Sequence, residues 1–253
     1  MSQTPTTFFV TWRSTKTRAI YPVARIRHLP ERGVYEFAYI HNVDKARENG
    51  FLPLVEFPDL ERTYVSARLF PLLANRLMPA RRPERKDFLV SLGLPADAHP
   101  MAILARTGGE RQTDQIELFP VPAAQQDGCY FTHCLVRSVR YMPQASQDRI
   151  DRLHRNERLL AAGDFQNEVD PNAVLLRTAD NYLVGYLPAY LTADVWQLRE
   201  HCERLVVEVD RVNGPPAEAH HRLLVCVKAC WPDGFVPYST PEFQPIAAAS
   251  VGV

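Results

Sequence analysis

Short strand-like runs limit this chain more than any other feature. FFVTW, YPVARIRH and GVYEFAYI (residues 8–12, 21–28 and 33–40) are rich in β-branched and aromatic residues and end at turn residues. The same texture returns between residues 129 and 231 in CYFTHCLVRSVRYM, ERLLAAG, NAVLLRT, YLVGYLP, RLVVEVDRV and HRLLVCVKACW. GVYEFAYI alternates Val34, Glu36 and Ala38 with Tyr35, Phe37 and Tyr39, as a half-buried strand does. Several short strands with turns between them describe a small barrel or sandwich.

Helical text is sparser. A short polar helix is expected around 42–48, closed by Gly50. YVSARLFPLLANRLM (64–78) reads as a helix that Pro71 kinks or starts. RPERKDFLVSLGL (82–94) reads as another, with Pro83 near its first turn and Gly93 at its end. In the second half, QASQDRIDRLHRN (144–156) and AYLTADVWQLREHCE (189–203) interrupt the strands. The latter aligns Leu191, Val195, Leu198 and Cys202 on one stripe. The expected class is therefore α+β, in two small domains, 1–120 and 129–236. VPAAQQDG (121–128), small and polar, is the expected linker. The proline-rich residues 237–253 read as an extended or disordered tail.

Charge excludes one class of partner contact. Among 253 residues, Lys+Arg and Asp+Glu are both 29. Residues 1–128 hold 17 basic and 14 acidic side chains, and residues 129–236 hold 12 and 14. Neither half is a polycation, so any DNA contact must be a small, shaped site rather than a broad basic face. No apolar run approaches the roughly 20 residues that span a bilayer. The first residues, MSQTPTTFFVTWRS, lack a basic leader and an apolar core. The expectation is a cytoplasmic protein without membrane contact, its five cysteines reduced thiols.

Familiar catalytic texts are missing. There is no GxxxxGK[ST], no GxGxxG after a strand, no GxSxG, no HExxH, and no HRD or DFG. The expectation is a non-enzymatic protein, with no catalytic residues, metal or cofactor. His220, His221, Cys226 and Cys230 fall close together, but LLVCVKACW alternates, and small buried thiols in a strand explain it better than zinc. LARTGGERQTD (104–114) has two readings: backbone N–H groups beside Arg106 and Arg111 that hold an anion, or a plain glycine turn. RIDRLHRNER (149–158) also has two. On a helix, Arg149, Arg152 and Arg155 form a slanting basic ridge, interleaved with Asp148, Asp151 and Glu157. That ridge is either a solvated face with internal ion pairs or a phosphate rail beside a nucleic-acid site.

The most specific text is Arg140-Tyr141, then Asn167, Asp170 and Asn172-Ala173-Val174 entering a strand, then Gly185-Tyr186-Leu187-Pro188 before a helix. Residues 129–232 with this spacing resemble a HIRAN domain. The resemblance implies an OB-like β-barrel with two helices, of a kind that accompanies helicases and nucleases or stands alone in bacteria. It also implies binding of single-stranded DNA at its 3′ end. The residue chemistry suits that role. Tyr141 or Tyr186 would stack on an unpaired base, and Arg140 would meet a phosphate. Asn167 and Asp170 would hydrogen-bond a terminal hydroxyl or a base edge. An aspartate there accepts the 3′-hydroxyl proton and repels a 3′-phosphate. One departure is Val169, where the family often has an aromatic residue. The other reading is that Asn167, Asp170 and Asn172 only shape the turn, leaving a scaffold without DNA affinity.

A second resemblance covers residues 20–120. Phe37, Tyr39, Pro53, Leu54, Pro58, Tyr64, Ser66, Leu69, Phe70, Asn75, Leu77 and Pro79 are similar to the N-terminal subdomain of HipA-type toxins. It implies a small α+β module that packs on or regulates a partner, without phosphoryl transfer. Together the two resemblances imply a DNA-binding adaptor. It would recognise single-stranded or damaged DNA and dock a nuclease, helicase or toxin, in a genome-defence or toxin–antitoxin system. The alternative is an antitoxin-like interaction module without DNA affinity.

Overall fold

Alternating strand text becomes two antiparallel sheets in this computed structural model, which describes residues 6–17, 19–91, 94–109, 111, 114–124, 128–168, 170–214 and 222–247. The chain divides into two compact units, Met1–Val121 with Tyr238–Val253, and Pro122–Pro237. The whole is α+β, with few and short helices.

In the first unit, β1 (Thr7–Arg13), β2 (Ile20–Leu29), β3 (Val34–Tyr39), β4 (Tyr64–Ser66) and β5 (Ile116–Pro120) form a sheet in the order β4-β3-β2-β1-β5. Pro22 is accommodated inside β2 because the register shifts at Val10/Thr11 of β1, opposite it. One face buries Phe8, Val10, Ile26, Phe37 and Tyr39 against Phe57, Leu73, Met101 and Leu104. The Phe37 and Phe57 rings stack with centroids 3.7 Å apart. Tyr39 keeps its hydroxyl in this core by donating to the Phe57 carbonyl and accepting from Leu54 N–H, both at 2.8 Å.

Among the described residues four α-helices complete the unit: α1 (Val43–Glu48), α2 (Pro71–Ala74), α3 (Arg85–Ser91) and α4 (Pro100–Thr107). The long helix expected over 64–78 does not form. Residues 64–66 pair with β3 instead. Phe70, pushed to ψ 142° by the proline after it, separates them from α2. The end expected at Gly93 lies outside the described residues. Helix α4 went unread because its sequence runs into the glycine-rich loop. Among the described residues of that loop, the two glycine amides are already bonded within the chain: Gly108 N–H donates to Leu104 O and Gly109 N–H to Thr107 Oγ1. Arg76, its side chain 1% exposed, reaches Gly109 O at 2.6 Å and pairs with Asp114 at 2.6 Å.

Residues 238–247 are not a loose tail. Their backbone bridges to the end of β3, with His41 N–H to Gln244 O and Ile246 N–H to Tyr39 O. Tyr238 and Phe243 are buried against Phe9 at 5.3 and 5.1 Å. The segment turns through Pro241–Phe243, with Tyr238 at φ +54°, and its two aromatic residues anchor it.

In the second unit, β6 (Cys129–Leu135), β7 (Arg158–Gly163), β8 (Val174–Arg177), β9 (Leu183–Tyr186), β10 (Val206–Val212) and β11 (Leu223–Cys230) run in the order β6-β11-β10-β7-β8-β9. The two edges of this sheet meet. Just past β6, Arg137 N–H donates to Tyr186 O at 2.8 Å and Tyr186 N–H to Arg137 O at 3.0 Å. The sheet is thus a partly closed barrel of OB-like kind. Closure needs a residue without a side chain at Gly185: its φ is +132°, and a Cβ there would collide with the Arg137 carbonyl oxygen and stand 2.7 Å from Val136 Cγ1.

Two helices flank the barrel, α5 (Gln144–Ile150) and α6 (Ala189–His201). The α6 stripe of Leu191, Val195, Leu198 and Cys202 is buried as its spacing predicts. The expectation of five thiols fails at one pair: Cys202 caps α6 beside the end of β11, Cα–Cα 5.7 Å from Cys230, and the two form a disulfide. Cys226 is buried, and burial pushes the Cys134 thiol up to about 12. His220 and His221 lie outside the described residues. Among the described residues, no helix is long and apolar enough to cross a membrane, and no group of three or more His, Cys, Asp or Glu is placed to hold a metal.

Candidate functional site

Strand β6 leaves the barrel through Ser138, at φ +64°, into a tight turn at Val139–Tyr141. Tyr141 N–H closes the turn on Ser138 O, and Gln147 of α5 donates to Met142 O at 2.9 Å. The turn holds Tyr141 outward, 68% exposed. The Arg140 guanidinium lies 4.5 Å over its ring centroid and also donates to its phenol oxygen. An aromatic face and a fixed positive charge therefore form one unit, contributed by adjacent residues.

Across the barrel seam, Tyr186 O–H donates to Asp164 Oδ2 at 2.8 Å. Asn167 Nδ2 donates to the same oxygen at 3.3 Å. The Tyr186 hydroxyl, with Asn167, holds the Asp164 carboxyl below the usual carboxylate range. Burial, and then the Asp164 charge, pushes the Tyr186 phenol up. The carboxylate is thus kept charged and the phenol kept protonated. Arg137, which pairs with Tyr186, links this cluster to the strand that leads to Arg140.

The 164–173 loop folds on its own side chains. Asn167 Oδ1 accepts from Asp170 N–H at 3.0 Å, and Asp170 Oδ1 accepts from Asn172 N–H at 2.9 Å. Asp170 O takes Ala173 N–H, and Asp164 N–H donates to Ala173 O. Asn172 is exposed. Val169 lies outside the described residues. The structure thus brings together Arg140, Tyr141 and Tyr186 through the seam, and Asn167, Asp170 and Asn172 in one loop.

It does not bring Arg149 and Arg152 to a common ridge. Helix α5 stops at Ile150, where the sequence suggests continuation to 156. Arg149 turns inward to Asp180 and Glu157, its side chain 17% exposed. Those hydrogen bonds pull the Asp180 carboxyl down to about 2. Arg152 bonds the Asp148 carbonyl and Arg155 pairs with Asp210. The Arg149 charge is thus paired internally, whereas Arg152 meets only a backbone carbonyl and the Arg155 side chain stays largely exposed beside Asp210.

Three residues of the site escaped sequence reading: Asp164, which orders Tyr186 and Asn167, and the stacked pair Phe165 and Trp196. Phe165 is an exposed aromatic next to a strand end, a signal the sequence contains but does not distinguish from chance.

With this geometry, residues 129–225 match the family model of the HIRAN domain. The second unit carries a HIRAN domain. Two solved structures are similar to parts of the chain. A protein from Lactobacillus plantarum shares 18% identity over 40% of this chain and 97% of its own, with a TM-score of 0.32. The HIRAN domain of human HLTF shares 17% identity over 42% of this chain and 81% of its own, with a TM-score of 0.29. No curated protein matches the chain. The HIRAN match does not reach the first unit, and the resemblance of residues 20–120 to HipA-type toxins finds no support in these comparisons. Within the HIRAN domain, Gly185 and Tyr186 of the GYLP text close the barrel, while Arg140-Tyr141 presents the exposed face.

Proposed function

We propose that the HIRAN domain of this protein binds single-stranded DNA at a 3′ end and that the chain acts as a non-catalytic adaptor. The observation that carries the reading is Tyr141 held outward with Arg140 across its ring. An unpaired base gains about 1–3 kcal/mol by stacking on such a ring, and the guanidinium supplies the neighbouring phosphate with a charge-assisted donor. The ionised Asp164, with Asp170 in the same loop, favours a terminal hydroxyl and repels a terminal phosphate. Both halves are close to neutral, which fits recognition of an end rather than a long duplex. The first unit exposes Leu52 and Val55 and, on the edge strand β4, Val65. A docking role of this unit toward a protein that works on DNA, of nuclease, helicase or toxin type, is the part of the proposal that rests on the sequence resemblance alone.

A second reading is an antitoxin-like protein–protein module without DNA affinity. It is favoured by one observation: Asn167 and Asp170 spend their side chains on the loop's own backbone and on Asp164. Fluorescence anisotropy with three labelled oligonucleotides separates the two: a single strand with free 3′-hydroxyl, the same strand 3′-phosphorylated, and a blunt duplex. Preference for the first, lost on adding salt and in Tyr141→Ala, supports the end-reading site. Absence of binding to all three at low salt overturns it and leaves the interaction module.

A further inference from the structure

Gly163 ends β7, and its backbone needs no left-handed conformation; what it supplies is space. A Cβ there would stand 2.7 Å from Phe165 Cζ and 2.8 Å from Trp196 Cη2. The two rings therefore lie against bare backbone. They stack on each other, centroids 5.9 Å apart and 30° between planes. Trp196, on α6, is fixed at its polar edge by donating Nε1–H to Asn172 O at 3.0 Å, which ties it to the 164–173 loop. Arg199, one turn on, places its guanidinium 5.2 Å from the Trp196 ring centroid and donates to Ala161 O at 3.3 Å. Phe165 stays 79% exposed on this support. A phenyl ring set beside a tryptophan, offset and tilted 30° from its plane, and open to water buries little for the fold's benefit.

The position of this ring is continuous with the site already described. Asp164 holds Tyr186 at the barrel seam, and Phe165 is the next residue. Resting on the reading that this domain binds single-stranded DNA, we propose that Phe165 is a second stacking surface for an unpaired base, with Arg199 placed for the adjoining phosphate. Trp196 and Gly163 are positioning residues: one backs the ring and the other makes room for it. The occupant is a base rather than an apolar peptide side chain because the ring stands among polar groups. Asp164 precedes it in the chain, and the Trp196 that backs it donates to the Asn172 carbonyl and has the Arg199 guanidinium 5.2 Å from its ring centroid; an aromatic face near a cation is what successive bases of a single strand use.

The test uses the full chain and a labelled single strand with a free 3′-hydroxyl, together with a series of strands lacking one base at successive positions from that end. Phe165→Ala is expected to weaken binding about 5- to 150-fold, the range that one stacked base supplies, and Phe165→Tyr to retain it. The parent should lose affinity at one particular abasic position, distinct from the position read by Tyr141, and Phe165→Ala should be indifferent to that vacancy. Bound DNA should quench tryptophan emission in the parent and less in Trp196→Phe. Phe165→Ala binding like the parent, with Tyr141→Ala defective, would overturn the second surface and leave the end-reading site standing. A parent that binds no strand at all overturns both.

Discussion

At Gly185 a single missing methyl group decides whether the barrel closes. The position combines φ +132° with a Cβ path into the Arg137 carbonyl, so neither rotation nor a small shift relieves a side chain there. Gly185→Ala is expected to destabilise the HIRAN domain by about 3 kcal/mol or more, by adding backbone strain to a backbone clash. A denaturant melt that shows a change within about 0.5 kcal/mol would contradict this account of the closure. Tyr186, the next residue, acts through a proton. Its hydroxyl depresses the Asp164 carboxyl, so the folded state binds that proton less readily than the unfolded chain. The contribution is fully present above the unfolded carboxylate range and is lost as pH falls through the lower folded value. Tyr186→Phe should raise the Asp164 titration midpoint, read by carbon-detected NMR of the carboxyl group, with the barrel intact. These roles divide the GYLP text in a way the sequence does not reveal. Gly185 and Tyr186 are legible as important, but the sequence points only to a stacking ring at Tyr186 and not to the hydroxyl bond that orders the loop.

Elements were legible where periodicity was long and uninterrupted. The six described strands of the HIRAN domain are legible as short strand-like runs between turns, and helix α6 as a buried stripe that covers one face of a core. Helices failed where local charge or proline competes with period. QASQDRIDRLHRN keeps a helical arginine spacing, yet the helix ends at Ile150: Arg152 N–H and Leu153 N–H turn back to the carbonyls three residues before them, and Arg149 is drawn to Asp180 and Glu157. The disulfide was illegible for a different reason. Cys202 and Cys230 are 28 residues apart, and only the return of β11 beside the end of α6 makes them neighbours. A crosslink over that separation stabilises by about 3–4 kcal/mol through the unfolded chain. Reduction, or Cys202→Ser, is therefore expected to lower the unfolding midpoint of the HIRAN domain. A midpoint indifferent to reductant would show that the bridge does not form in solution.

For the whole molecule, the decisive fact is that the chain leaves its first unit at residue 121 and returns to it at 238. A linear reading of two domains and a tail misses this, because nothing in PYSTPEFQPI announces which sheet it will meet. The returning segment adds aromatic burial and backbone pairing: Tyr238 and Phe243 against Phe9, and three N–H···O bonds at the end of β3 and start of α1. Losing a buried aromatic residue costs about 3–5 kcal/mol, a large fraction of the 5–15 kcal/mol that holds a domain folded. Truncation after Pro237 should therefore unfold or strongly loosen the first unit. It should leave the HIRAN domain, whose described strands lie between 129 and 230, with its own stability and with the DNA affinity proposed for it. Hydrogen exchange reads both at once. Protection is expected to collapse in β1, β2 and β3 and to persist in β6, β10 and β11. Equal loss in both sheets would mean that the units do not fold independently, and unchanged protection in β1–β3 would mean that the returning segment is an ornament on a sheet stable without it.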